Sequence, residues 1–188
     1  MSLAISNITL REKLRTQALR DPLTGLYNRR FMEDVIERYT DLAERTSTAF
    51  SVIMIDLDHF KMLNDEHGYS MGDSVLRGAA AAIVSVIGPS DVACRYGGEE
   101  LLVLLPDCPL DDAVIQAEEL RARIEGLSDI RGVPVTASLG VSSIPETTLT
   151  PENLLPDADS ALYQAKKAGR NKVFASPRLV EQEMVIQA

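Results

Sequence analysis

Asp56-Leu57-Asp58 closes the apolar run Phe50-Ser51-Val52-Ile53-Met54-Ile55, and the two carboxylates are the first residues here that could do chemistry. A strand this apolar would lose several kcal/mol by burying unpaired carboxylates in its middle, whereas at its C-terminal end they can face a cleft. Residues i and i+2 share a strand face, so Asp56 and Asp58 start on the same side. Two carboxylates so close suggest an oxygen-donor site for a hard cation, Mg²⁺ or Mn²⁺. An exit turn with a solvated acidic pair is an equally good reading of these residues alone.

Three further clusters join it. Gly97-Gly98-Glu99-Glu100 has two glycines, which free the backbone for positive φ and leave room for a ligand to approach, followed by two adjacent glutamates. By itself this reads as a hairpin turn with a polar start to its second strand. Beside the Asp56 cluster it places carboxylates on two strand ends, the way two-metal phosphoryl-transfer sites are built. Lys166 and Arg170 lie four apart at the end of the last helix, hence on one face. Cations there gain from the helix dipole, and they also make a fork for terminal phosphates. Asn64 and Asp73 follow the acidic strand; an amide and a carboxylate can read the edge of guanine, although both residue types also cap helices and turns.

The elements that must position these residues can be read from periodicity. Asn28 is an N-cap for a helix to about residue 44, after the break at Asp21-Pro22 and the turn Leu23-Thr24-Gly25-Leu26. Residues 50–58 form a central buried strand, because both faces are apolar until Asp56. Val75, Ala79, Ile83 and Val86 predict a helix over 72–87. Strands at 91–96 and 100–105 form a hairpin through Gly97-Gly98, and 110–125 is an amphipathic helix. A strand at 135–143 follows. Ala158, Ala161, Leu162 and Ala165 mark a last helix stopped by Gly169, and residues 172–175 form a final strand. Leu3 to Arg20 reads as a polar helical stub, and the tail after Pro177 is uninformative. There is no internal repeat or low-complexity linker, so one α+β domain follows a helical stub.

Composition bounds the partners. The chain has 188 residues, 45% of them hydrophobic and 25% charged, which excludes a disordered or collagen-like chain. Nineteen Lys and Arg against 28 Asp and Glu give a net charge of −9 with no basic stripe, so nucleic-acid binding is not expected. A nucleotide remains compatible, because divalent cations bridge phosphates to carboxylates. Cys94 and Cys108 follow no metal-ligand spacing and make no disulfide framework, which fits a reducing compartment. No run of 18 apolar residues occurs, so the expectation is a soluble, cytoplasmic domain without membrane contact of its own. Met1-Ser2-Leu3 is compatible with an appended start, which would make the chain a piece of a longer protein.

Together these residues resemble the GGDEF family of diguanylate cyclases over about residues 21–175, between a stub at 1–20 and a tail at 176–188. Asp21-Pro22-Leu23-Thr24-Gly25-Leu26-Tyr27-Asn28-Arg29-Arg30 is similar to the family's opening signature. Asp56-Leu57-Asp58-His59-Phe60-Lys61, Asn64-Asp65, Gly68 and Gly72-Asp73 match its metal and guanine segment. Gly97-Gly98-Glu99-Glu100-Leu101 stands at the signature motif, and Ala161 to Lys166 with Gly169-Arg170-Asn171 matches the closing helix. Four motifs in this order make the resemblance specific.

The resemblance implies a fold related to nucleotidyl cyclases and polymerase palms, with a central, largely antiparallel sheet flanked by helices. It implies condensation of two GTP to cyclic di-GMP with release of two pyrophosphates, at the interface of a homodimer. By resemblance, Asp56, the carbonyl of Leu57 and Glu99 hold the metals, with Glu100 assisting. These are Mg²⁺ or Mn²⁺, two per active site. Glu99 accepts the 3′-hydroxyl proton, Lys61 stabilises charge on the reacting phosphates, Asn64 and Asp73 read guanine, and Lys166 and Arg170 hold the β- and γ-phosphates. The stub implies an upstream sensor or receiver, in a parent that can be membrane-attached. The rival readings are a catalytically silent GGDEF-like module that binds GTP or mediates protein contacts, and an unrelated domain with an incidental acidic cleft.

Three positions depart from the family. Leu101 replaces the aromatic end of the signature, a loss of volume within an apolar position, so a modest loss of activity is expected. Tyr69 stands where the family often has His. Gly88-Pro89-Ser90-Asp91 occupies the family's Arg-x-x-Asp product-inhibition motif without its arginine, so an anionic dinucleotide loses a bidentate phosphate partner there.

Overall fold

The computed structural model describes residues 19–180; the expected helix at 3–20 and the end of the tail lie almost wholly outside them. In chain order the elements are β1 (Tyr27–Asn28), α1 (Arg29–Thr46), β2 (Phe50–Leu57), α2 (Phe60–His67), α3 (Tyr69–Val84), β3 (Val92–Arg95) and β4 (Glu100–Pro106). They continue with α4 (Leu110–Glu125), α5 (Leu127–Arg131), β5 (Ala137–Ile144), α6 (Pro151–Lys167) and β6 (Val173–Ala175). The strands form one sheet in the order β1-β3-β4-β2-β5-β6. Strand β2 pairs antiparallel with both β4 and β5, and β3 pairs antiparallel with β4. The edge strands β1 and β6 pair parallel with their neighbours. The fold is therefore α+β with a mixed, centrally antiparallel sheet. Among the described residues no helix is long and apolar enough to cross a membrane.

Every residue of β2 is buried, because helices cover both sheet faces. Ile53, Ile55 and Leu57 pack with Leu101, Val103 and Leu105 of β4 against α3 and α4. Phe50, Val52 and Met54 point the other way, with Leu102 and Leu104, toward Met32 and Val35 of α1 and Leu154, Ala158 and Leu162 of α6. Burying one such side chain is worth roughly 1.5–3 kcal/mol, so the period-two alternation fixes the register. Asn28 caps α1 as expected, accepting from the Phe31 amide at 3.1 Å.

The structure adds one helix and extends another. The helix expected over 72–87 is α3, which starts three residues earlier and ends at Val84, and an unexpected helix, α2, precedes it across Gly68, whose φ of +83° suits glycine. Helix α2 escaped periodicity because it buries only Leu63. The alanine-rich stretch from Ala158 is the second half of α6, which begins at Pro151 and tolerates Pro156 within it.

Helix α6 lies close on β5 at Gly140, where a Cβ would overlap the carbonyl oxygen of Ala158 and the backbone of Leu162. Backbone cannot yield as a side-chain tip can. Gly140→Ala is expected to lower stability by about 3 kcal/mol, read from the urea midpoint at unchanged m.

Candidate active site

The acidic residues meet where β2 leaves the core. Asp56 is the register partner of Glu100 on β4 and of Ser138 on β5, and the Leu57 amide donates to the Glu99 carbonyl at 3.4 Å. The side chain of Leu57 is part of the core, so Leu57 offers the site only its main chain. Asp56 is buried and its Oδ2 lies 2.8 Å from Nζ of Lys166. Burial pushes the Asp56 carboxyl above its ordinary value; Lys166 opposes this, and Glu99 and Asp58 add to it. Glu100 is raised as well, by burial first and then by Asp56, with Asp159 and Glu99 adding and Lys166 opposing. Asp159, on α6, is a contributor that sequence reasoning missed.

The hairpin works differently from expectation. Neither Gly97 nor Gly98 has positive φ. Gly97 leaves room for the Glu100 carboxylate, whose tip a Cβ there would push aside, while the space around Gly98 is open, as a ligand's approach needs. The turn is braced by Arg95, another residue that the sequence did not single out. Its guanidinium donates to the carbonyls of Gly97 at 3.2 Å and Gly98 at 2.8 Å, and pairs with Asp21 at 3.3 Å. Asp21 in turn accepts from the amide and hydroxyl of Thr24. Burial raises the Asp21 carboxyl, but the bonds from Thr24 and Arg95 outweigh it and the net direction is down. The only sequence signal was a lone arginine ending an apolar strand.

Beside the acidic residues opens a cleft of about 410 Å³, lined by Lys61, Asn64, Asp73, Arg95, Gly98 and Glu99 among others. Lys61 and Asn64 come from α2 and Asp73 from α3, so the helix pair around Gly68 brings them together. The Asn64 Oδ1 is buried without a hydrogen-bond partner among the described residues, against Gly72, where a Cβ would displace it. An amide held this way, next to a carboxylate in a cleft, is poised for a ligand with donors and acceptors.

Two expectations about the remaining residues are corrected. Asp58 does not join Asp56: its carboxylate accepts from Thr136 Oγ1, Ser138 Oγ and the Asn171 amide at 2.8, 2.7 and 3.0 Å. Arg170 does not share a helix face with Lys166, because α6 ends at Lys167 and Arg170 sits in the following turn with φ +63°. Among the described residues no three acidic, histidine or cysteine side chains form a closed metal cluster. The donor set still fits a hard divalent cation, since Asp56, Glu99 and Glu100 are all oxygen donors whose mutual repulsion a cation would relieve.

A centrally antiparallel sheet with acids at its strand ends beside a polar cleft defines a palm-like α+β domain. Residues 18–172 match the family described as "Diguanylate cyclase, GGDEF domain", and the chain belongs to that family. The response regulator PleD of Caulobacter vibrioides is 42% identical over 161 residues, 83% of this chain and 36% of that protein. The diguanylate cyclase DgcM of Escherichia coli is 39% identical over 168 residues, 89% of this chain and 40% of that protein. The crystal structure of the coiled coil and GGDEF domain of DgcB from Caulobacter crescentus, in complex with c-di-GMP, superposes with a TM-score of 0.81 at 30% identity. That match covers 93% of this chain and 97% of the other. The chain spans less than half the length of these curated relatives.

Because the Glu100 carboxyl is raised above 4.5 in the folded protein, the folded state holds that proton to higher pH than the unfolded chain. Stability is therefore lost as pH rises from 4.5 through the raised value. Glu100→Gln removes this loss. The melting temperature of the variant relative to the parent should rise between pH values well below 4.5 and neutral pH. A difference that does not change with pH would contradict the assignment.

Proposed function

We propose that this protein condenses two GTP molecules into cyclic di-GMP, releasing two pyrophosphates, where the sites of two copies face each other. The observation that carries this reading is the register pairing of Asp56 with Glu100 beside the cleft of Lys61, Asn64, Asp73 and Glu99. In this reading Asp56, the Leu57 carbonyl, Glu99 and Glu100 hold two divalent cations, Mg²⁺ or Mn²⁺. The cations supply neutralisation of phosphate charge and a lowered pKa for the attacking hydroxyl.

The chain's own residues do the rest. Asn64 and Asp73 hold the guanine edge, and the buried, unpartnered Asn64 Oδ1 supports that role. Glu99 takes the proton of the 3′-hydroxyl. Lys61 stabilises charge on the reacting phosphates from the exposed face of α2. Lys166 neutralises Asp56, and the β- and γ-phosphates offer it and Arg170 a stronger anionic partner. One half-site holds one nucleotide, while the product joins two, so a symmetric homodimer is the competent state. An upstream sensor or receiver that sets this pairing is in keeping with PleD's description as a response regulator. The domain acts in the cytoplasm, where GTP is available.

The test is cyclic di-GMP formation from GTP and Mg²⁺, followed by chromatography, with the domain fused to a leucine zipper. Product is expected from the parent and at least about 100-fold less from Glu99→Gln, the scale of a lost general base. If neither makes product yet GTP binding needs the metal, the domain is a silent nucleotide binder, and the buried Leu101 is the first position to restore to an aromatic.

Product feedback gives a separate prediction. The Asp91 carboxylate closes on its own loop, accepting from the Gly88 amide at 2.7 Å, and no arginine stands at position 88. Turnover should show weak or no non-competitive inhibition by cyclic di-GMP. Submicromolar binding of the dinucleotide to the isolated domain would refute this.

A further inference from the structure

Asp58 is a buried carboxylate that the proposed chemistry leaves unused. It is 7% exposed, and among the described residues no lysine or arginine forms an ion pair with it. Three donors from two other segments saturate it instead: the hydroxyls of Thr136 and Ser138 at the start of β5, and the main-chain amide of Asn171. A charge kept in such a place without a counter-ion is costly, so its hydrogen bonds must fix something that matters.

What they fix is the turn after α6. Arg170 and Asn171 are consecutive left-handed residues, with φ of +63° and +47°, and neither is glycine. For arginine this costs roughly 1–2 kcal/mol and for asparagine less, so the turn needs an anchor outside itself. Asp58 anchors the Asn171 main chain. The Asn171 side chain is held separately by α4, accepting from Arg121 at 2.8 Å and donating to Glu125 at 2.8 Å. Asn171 is thus clamped between the end of β2 and α4. Arg170, one residue earlier, is exposed, and its guanidinium makes no hydrogen bond or ion pair among the described residues. The anchored turn carries an exposed cation three residues beyond the end of α6.

We propose that Asp58 is a positioning residue for the substrate's terminal phosphates: through the Asn171 amide it fixes the left-handed turn that aims Arg170. This rests on Arg170 being a phosphate contact. It separates the two aspartates of Asp56-Leu57-Asp58 by task, the first toward the reacting centre and the second toward the arginine.

The test measures binding of 3′-deoxy-GTP, which lacks the attacking hydroxyl, and of guanosine, which lacks phosphates, to the full chain with Mg²⁺ by calorimetry. Asp58→Asn takes away the charge that assists the bond from the Asn171 amide and turns the acceptor facing Ser138 into a donor. It should weaken 3′-deoxy-GTP about tenfold, the scale of one lost charge-assisted hydrogen bond, and leave guanosine unchanged. In an Arg170→Ala background the same substitution should add nothing, because the effect runs through that arginine. Equal losses for both ligands, or a full further loss in the Arg170→Ala background, would overturn the proposal. If Arg170→Ala by itself leaves the ratio of the two affinities unchanged, the phosphate role of Arg170 fails first and takes the proposal with it. Should Asp58→Asn not fold, Thr136→Val removes one hydroxyl from the same carboxylate. It should weaken 3′-deoxy-GTP about threefold with no change for guanosine, and a change in both would again overturn the assignment.

Discussion

A strand that is apolar on both faces cannot carry a charge until it leaves the core, and the rest of the site depends on where β2 does so. Its first six residues are locked between two layers of helices, so Asp56 falls at the point where burial begins to relax. The carboxylate is still only 8% exposed, and it is tolerable there because Lys166 reaches it from α6. Glu100 comes beside it because β4 pairs with β2 in antiparallel register, and the glycine turn that starts β4 leaves that carboxylate room. The polar cleft follows from the same geometry, since α2 begins three residues after β2 ends and turns Lys61 and Asn64 back over the strand end.

Much of this was legible before any coordinates, and the reasons are physical. The β2 strand was readable because burial on two faces leaves Ser51 as the one polar residue ahead of Asp56. The bounds of α4 agree with the sequence reading because Pro109 marks its start and its buried alanines and leucines keep one helical face. Asp56, Glu100 and Lys166 come together because each lies at or near an element's end, where sequence punctuation is strongest. Helix α2 was not legible, since eight residues burying one leucine leave hardly any periodic signal.

Side-chain partnerships across the chain were the other blind spot. Nothing local separates Asp56 from Asp58; what sorts them is Lys166 on one side and Thr136, Ser138 and Asn171 on the other, all far away in sequence. Arg95 was invisible for the same reason, because its carboxylate partner Asp21 lies 74 residues earlier. Of the two reasons for the hairpin glycines, positive φ does not hold and space does: Gly97 leaves room for Glu100, and Gly98 is open. Spacing identifies which residues gather at a strand end, and tertiary contacts decide what each does once there.

The close seating of α6 on β5 has a geometric consequence. The helix backbone rests on Gly140 at Leu162, and Lys166 is the next residue on that face, one turn and roughly 6 Å further along the axis. Gly140 therefore acts as the zero mark of a ruler laid along α6. The height at which the lysine meets Asp56 is read off from a contact between two backbones, the least compressible kind a protein possesses. The charge at the acidic end of the sheet is thus calibrated by an uncharged residue in its interior.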